Sequence, residues 1–249
     1  MNGDTPPAIA FREVSRVFGG RAVLNNVSFE VARGEAFCLL GRSGMGKSVT
    51  LKLTIGLIQP DAGAIFVEND NIVGMDEDEL SKVRSRIGFL FQSAALFDSF
   101  SLHDNLAVPL KRLREKKPDE EIEAIVQKNL DDVGLGKDGR KMPTELSGGM
   151  RKRAGLARAL MLSPSILLID EPVSGLDRVT ASEIDDLLLR VRKRDNTTMV
   201  IVTHDTREAR RLGDRVGILD NGNLIAVGGM EELAKNQSAL ARALVSEAE

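Results

Sequence analysis

GRSGMGKS, residues Gly41 to Ser48, follows the apolar run EAFCLL (Glu35–Leu40) and leads into KSVTLKLTIGL, which reads as a helix. The spacing is G-x-x-x-x-G-K-S. Gly41, Gly44 and Gly46 let the main chain curl around an anion without Cβ clashes. The exposed N–H groups of Gly41, Arg42, Ser43, Gly44, Met45 and Gly46, continued by Lys47, Ser48 and Val49 at the helix N-terminus, point at phosphate oxygens. Lys47 reaches the β- and γ-phosphates, and the Ser48 hydroxyl ligates Mg2+. A buried strand before and a helix after are the context that this chemistry needs.

Outward from the loop, the first third of the chain reads as strands. AIAFREV and VLNNVSFEV alternate in part, with β-branched and aromatic residues. QPDAG, with Pro60 and Gly63, stops the helix, and AIFVEN and IGFLFQ are further strands. The character changes after Gln92. From His103 to Arg140 the pattern is helical and charged, with Ile122, Ile125, Val126, Leu130 and Val133 in one apolar stripe. Strands return in SILLID, TTMVIVT and DRVGILD, and Asn221-Gly222 marks a hairpin. Strands alternating with helices predict an α/β fold with a mainly parallel sheet covered on both faces. Residues 93–163 read as a helical insertion into that core.

Composition narrows the function. A net charge of −3 gives no reason to expect nucleic-acid binding. The basic clusters Lys111–Arg114 (with Lys116 and Lys117) and Arg151–Arg153 read as solvated helix faces. Cys38 is the single cysteine; its apolar neighbours mark it as an inert core residue in a reducing compartment. The start, MNGDTPPAIA, has neither the basic nor the apolar region of a leader. No apolar run approaches the roughly 18 residues of a membrane span, so a membrane role is expected to come through a partner.

A second element supplies carboxylates. ILLIDEP is a buried strand ending in Asp170 and Glu171. Asp170 holds Mg2+ through water. Glu171, one residue on at the strand mouth, is placed to polarise an attacking water.

ELSGGMRKRAGLARAL (Glu145–Leu160), about 20 residues before ILLIDEP, resembles the signature motif of the ATP-binding cassette family. Alone, Ser147 could be a plain helix N-cap. Together with Gly148 and Gly149 at a helix start, it is also an anion site. The resemblance runs from about Ile9 to Gly228. It implies a P-loop NTPase (RecA-like) core with an N-terminal antiparallel β subdomain and an inserted α-helical subdomain. The core and β subdomain would be 1–92 and 164–249, and the helical subdomain 93–163.

The family works as a head-to-tail dimer, with ATP between Gly41–Ser48 of one copy and Ser147–Gly149 of the other. In family order, Phe18 matches the aromatic that stacks on adenine, although an edge-strand core residue reads the same way. Gln92 matches the Q-loop glutamine that senses Mg2+ and water, Asp177 in SGLD the D-loop at the dimer interface, and His204 the switch histidine at the γ-phosphate. His103 reads as an ordinary loop or helix-start residue. The sequence departs from the family pattern at Arg178, where Pro often follows the D-loop, and at Val49, where a second hydroxyl is common. The implied catalytic set is Glu171, His204, Gln92 and Lys47, with Ser48, Gln92 and Asp170 at the metal and ATP and Mg2+ as cofactors.

Three outputs compete: a membrane transporter's ATPase subunit, a soluble mechanical or translation-linked cassette, and a silent scaffold. A mechanical cassette would need a long coiled coil or a second cassette, and 93–163 is too short for the first. A scaffold would have lost Lys47, Glu171 or His204. The transporter subunit leads. FLFQSAALFDSFSLHDNLAVPL, Met150 after LSGG and SGLDRVTASEIDDLL resemble the Mla/Mce-type lipid transport ATPases of bacteria. AALF could equally be generic groove packing, which would leave another importer or exporter of amino acids or metal chelates. The lipid resemblance implies phospholipid cargo, an integral-membrane MlaE-like permease, an Mce-type substrate-binding protein and a STAS-domain partner. It also implies a peripheral position on the cytoplasmic face of the inner membrane. The tail Met230–Glu249 is expected to leave no room for an added regulatory domain, and its ALARALV could form an amphipathic helix that packs on the core or on a neighbour.

Overall fold

The computed structural model describes residues 6–113 and 116–246. The first five residues of MNGDTPPAIA, Arg114 of the basic cluster and the last three residues of the tail lie outside the described residues.

Strands β1 (Ile9–Phe18), β2 (Arg21–Val31), β4 (Ala62–Val67) and the two-residue β5 (Asp70–Asn71) form an antiparallel sheet in the order β2-β1-β4-β5. The second sheet holds β3 (Ala36–Leu40), β6 (Ile87–Leu90), β7 (Ile166–Asp170), β8 (Thr198–Thr203), β9 (Arg215–Asp220) and β10 (Asn223–Gly228). Its order is β10-β9-β3-β8-β7-β6. All neighbours in it are parallel except β10, which turns back on β9 at the predicted Asn221-Gly222 hairpin.

The helices are α1 (Lys47–Thr54), α2 (Glu77–Arg84), α3 (Leu102–Lys111), α4 (Asp119–Asp132), α5 (Gly148–Leu160), α6 (Arg178–Asp195), α7 (Thr206–Leu212), α8 (Met230–Leu233) and α9 (Ala239–Ser246). The helical pattern expected over 103–140 is narrower in the structure. It ends with α4, and the chain then runs irregularly to α5, broken only by one short 3-10 turn at Pro143–Glu145.

The parallel sheet separates two cores, and strand alternation assigns residues to each. Cys38 and Leu40 of β3, Leu167 and Ile169 of β7, and Met199 and Ile201 of β8 face the helices α3 to α7. Phe37 and Leu39, Ile166 and Leu168, and Val200 and Val202 face α1, α2 and the antiparallel sheet. Stacked Phe11, Phe29 and Phe37, with centroids 4.7 and 5.1 Å apart, join the two sheets through that second core. Cys38 is wholly buried and burial raises its thiol pKa, which keeps it inert. In the predicted stripe on α4, Ile122, Val126 and Leu130 are buried. The tail helix α9 packs on this chain's own core through Ala241 and Val245.

Candidate active site

Four parallel strands end side by side, and each delivers one part of the site. In an open parallel sheet, ligands bind outside the carboxyl ends of the strands. From β3 the chain enters Gly41–Ser48; β8 ends before His204; β7 ends at Asp170 and Glu171; β6 ends before Gln92. Strand pairing therefore brings together residues up to about 160 apart in sequence.

The loop is shaped by close approach. Gly44 and Gly46 have φ of +79° and +99°, which an L side chain rarely adopts, and a Cβ on Gly46 would sit 2.5 Å from the Val23 carbonyl. Gly41 has ordinary φ; there it is the Leu219 carbonyl, 2.4 Å from a notional Cβ, that excludes a side chain. Lys47 is 5% exposed. Its Nζ donates to the Gly41 and Arg42 carbonyls at 2.7 and 3.0 Å and lies 3.5 Å from Glu171 Oε1.

Ser48 Oγ donates to Asp170 Oδ1 at 2.8 Å. Burial raises the Asp170 carboxyl pKa, and the Ser48 hydrogen bond opposes it. This oxygen pair suits a hard cation such as Mg2+, which would relieve the cost of the buried carboxylate. Glu171 has φ of +48°, a strained setting for a non-glycine residue, with its N–H held by the Val202 carbonyl at 2.9 Å. Its Oε2 lies 2.6 Å from His204 Nδ1. One carboxylate thus meets both Lys47 and His204.

The remaining predicted residues lie around this centre. Phe18 is 42% exposed, and the Arg16 guanidinium covers its ring at 4.5 Å while pairing with Asp61. Gln92 follows β6 with its side chain exposed. Ser147 caps α5 by accepting from the Met150 N–H. Gly148 and Gly149 pack toward Leu176 and Thr180. Asp177 caps α6 through the N–H groups of Val179 and Thr180. Within one chain Asp177 is a capping residue, and its pKa is lowered chiefly by the Thr180 hydroxyl.

Sequence reading missed Lys152. Its ammonium is buried and donates to the main-chain carbonyls of Gln92 and Glu171. The only signal was helical spacing, which puts it on the face of Leu156 and Gly155.

Beneath the His204 loop, Glu208 Oε1 and Oε2 and Asp185 Oδ1 are buried without a hydrogen-bond partner. Burial, opposed by Thr203 and reinforced by Asp185 and Asp205, pushes the Glu208 carboxyl up to about 8, and burial pushes Asp185 up to about 6. The folded chain therefore holds protons that the unfolded chain has lost, so stability falls as pH rises from the ordinary carboxyl range toward 8. Glu208→Gln is expected to abolish most of a fall on the order of a few kcal/mol. Melting curves at pH 5.5 and 8.5 test this; parallel shifts in variant and wild type would contradict it.

Comparison with known proteins gives these contacts a context. A protein-family model described as ABC transporter matches residues 24–174. The chain is 42% identical over 235 residues to the probable ribonucleotide transport ATP-binding protein mkl of Mycobacterium leprae, covering 94% of this chain and 67% of that protein. The Mycobacterium tuberculosis form is covered to 65%, so the chain spans about two thirds of these relatives. It is 37% identical over 246 residues to the methionine import ATP-binding protein MetN of Corynebacterium efficiens, covering 96% of this chain and 68% of that one. A dimeric ATP-binding cassette solved in a post-hydrolysis state with ADP and Pi superposes with a TM-score of 0.82 at 32% identity, over 89% of this chain and 98% of that one.

Proposed function

The chain belongs to the ABC transporter family, and from that premise we propose that it powers a bacterial transporter moving phospholipid between inner and outer membranes. Its ATPase domain binds ATP with Mg2+ and hydrolyses it. In the proposed cycle, two copies close head to tail on ATP, with Gly41–Ser48 of one facing Ser147–Gly149 of the other. Glu171 polarises the attacking water, and His204 holds Glu171 and reaches the γ-phosphate; Mg2+, which Ser48, Asp170 and Gln92 would hold, would supply charge neutralisation at the phosphates. Catalysis is then positioning and charge stabilisation. Hydrolysis reopens the dimer, and that motion is the output.

The observation that supports a permease partner is an apolar groove of about 400 Å3 between β6 and α5. Phe89, Phe91, Phe97, Pro109 and Leu162 line it. Phe97 and Phe100 are 39% and 41% exposed, and buried Asn105 fixes their loop by four hydrogen bonds to its backbone. This suits a short cytoplasmic helix of an MlaE-like permease, with residues 93–163 acting as a helical subdomain at the cytoplasmic face of the inner membrane. Among the described residues no helix is long and apolar enough to cross a membrane. The lipid cargo, the Mce-type binding protein and the STAS-domain partner rest on the resemblance of the segment after Gln92. The similarity to a methionine import protein favours a second reading, an importer of amino acids or other small solutes.

Tagged chain recovered from detergent-solubilised membranes tests this. A multi-span permease with an Mce-type protein and phospholipid is the expected result. A different permease with a soluble solute-binding protein would move the cargo to the second reading. Recovery with ribosomes or DNA and no membrane protein would overturn the transporter reading. Phe97→Ala with Phe100→Ala is expected to lower permease recovery tenfold or more, since an aromatic anchor contributes about 2 kcal/mol. The ATPase rate of the isolated chain should stay within about twofold; undiminished permease recovery would place the docking surface elsewhere.

A further inference from the structure

Helix α5 links its own Ser147–Gly149 start to the segment after β6 and to the Glu171 turn. Its N-terminus presents Ser147, Gly148 and Gly149, while Lys152, Gly155 and Arg158 recur at every third residue and share one face. All three touch the segment after β6. Lys152 Nζ donates to the Gln92 carbonyl at 2.6 Å and to the Glu171 carbonyl at 2.8 Å. A Cβ on Gly155 would lie 2.9 Å from Ala94 Cβ, so the helix backbone itself meets the turn. Arg158 donates to the Ala95 carbonyl and covers the Phe97 ring at 4.7 Å. Ala94 and Ala95 both have positive φ, +62° and +49°, which folds the segment tightly against α5.

The Lys152 side chain is the costly member of this set. It is 6% exposed, and burial lowers its pKa while Glu208, Asp170 and Glu171 act in the opposite sense. A methionine would fill the same space without desolvating a charge. What the ammonium adds is geometry: three rotatable donors, two of them spent on the carbonyls of the two residues expected to handle the attacking water.

We propose that Lys152 is a positioning residue that ties the signature helix and the segment after Gln92 to the Glu171 turn. Nucleotide engaged by Ser147–Gly149 of one copy then sets Glu171 of that same copy toward the other nucleotide. The inference rests on the head-to-tail dimer and on Glu171 as the water-polarising group. Lys152 acts through two backbone carbonyls, those of Gln92 and Glu171. Without its ammonium each site binds ATP, but the two no longer fire together.

The test uses the full chain with Lys152→Met, Lys152→Arg and Lys152→Gln. ATPase rate is measured against ATP concentration, and binding is measured by equilibrium dialysis of labelled ATP. Lys152→Met is expected to lower kcat tenfold to a hundredfold, leave the ATP Kd within twofold, and bring the Hill coefficient from above 1 to about 1. Lys152→Arg, which keeps the donors, is expected to recover most of the rate and the cooperativity. Lys152→Gln, with one amide donor, should fall between them and covers the case in which the methionine variant melts early. Wild-type kcat and cooperativity in Lys152→Met would overturn the proposal. So would parallel loss of ATP affinity and rate in both Lys152→Met and Lys152→Gln, which marks a merely structural role. Glu171→Gln run alongside separates the failures. If it turns over ATP normally, the underlying reading of Glu171 fails; if it is inactive while Lys152→Met is fully active, only the role of Lys152 fails.

Discussion

Glu171→Gln is expected to lower ATP turnover by about 10²- to 10⁴-fold, the range for removing a general base. ATP affinity should stay within about threefold. The substitution keeps the side-chain volume and one carbonyl oxygen, so the loop and His204 retain a neighbour of the same shape. What it removes is the carboxylate that stands 2.6 Å from His204 Nδ1 and 3.5 Å from Lys47 Nζ. The position is already committed: Glu171 is held at positive φ by the Val202 carbonyl, so little reorganisation is available to substitute another group. Steady-state phosphate release and labelled-ATP dialysis separate the two effects. Turnover at the wild-type rate would remove Glu171 from the water-activating role.

Lys47→Ala acts at the earlier step. A charge-assisted hydrogen bond contributes about 1.5–3 kcal/mol, which predicts a loss of ATP affinity on the order of 10- to 100-fold. Stability should fall as well, because the Gly41 and Arg42 carbonyls lose their buried donor at a cost of about 1–3 kcal/mol. In a chain of this size that lowers Tm by roughly 2–4 °C per kcal/mol. Lys47→Arg keeps the charge and separates binding from packing. Unchanged ATP affinity in Lys47→Ala would count against the loop as the phosphate site.

The parts of this site that were legible in the sequence are those made by contiguous residues. Glycine spacing with Lys47 and Ser48 specifies a loop, and the four apolar residues before Asp170 specify a buried strand with a carboxylate at its end. The order of the strands is not written locally. β3 lies between β8 and β9 because of how whole faces pack, and only that order sets Ser48 beside Asp170 and His204 beside Glu171. Lys152 was invisible for the same reason: a lysine in an arginine-rich helix reads as solvated until the ends of β6 and β7 enclose it. Helix α2 carries just two buried apolar residues, Leu80 and Val83, so its periodicity is faint. Its Asp76–Glu79 capping box was the usable signal. Within the chain the Asp177 carboxylate caps the start of α6, a local role that the SGLD motif by itself does not spell out.

The central claim is that Gly41–Ser48 of one copy and Ser147–Gly149 of another enclose the same ATP. Cross-linking tests it most directly. Met45→Cys and Ser147→Cys are placed on separately tagged copies, both carrying Glu171→Gln, and treated with a short bismaleimide; wholly buried Cys38 stays unreactive. Linkage between the two tags that forms with Mg-ATP and is lost without nucleotide is the predicted result. Linkage that ignores nucleotide, or none at all while ATP is bound, would contradict the head-to-tail site.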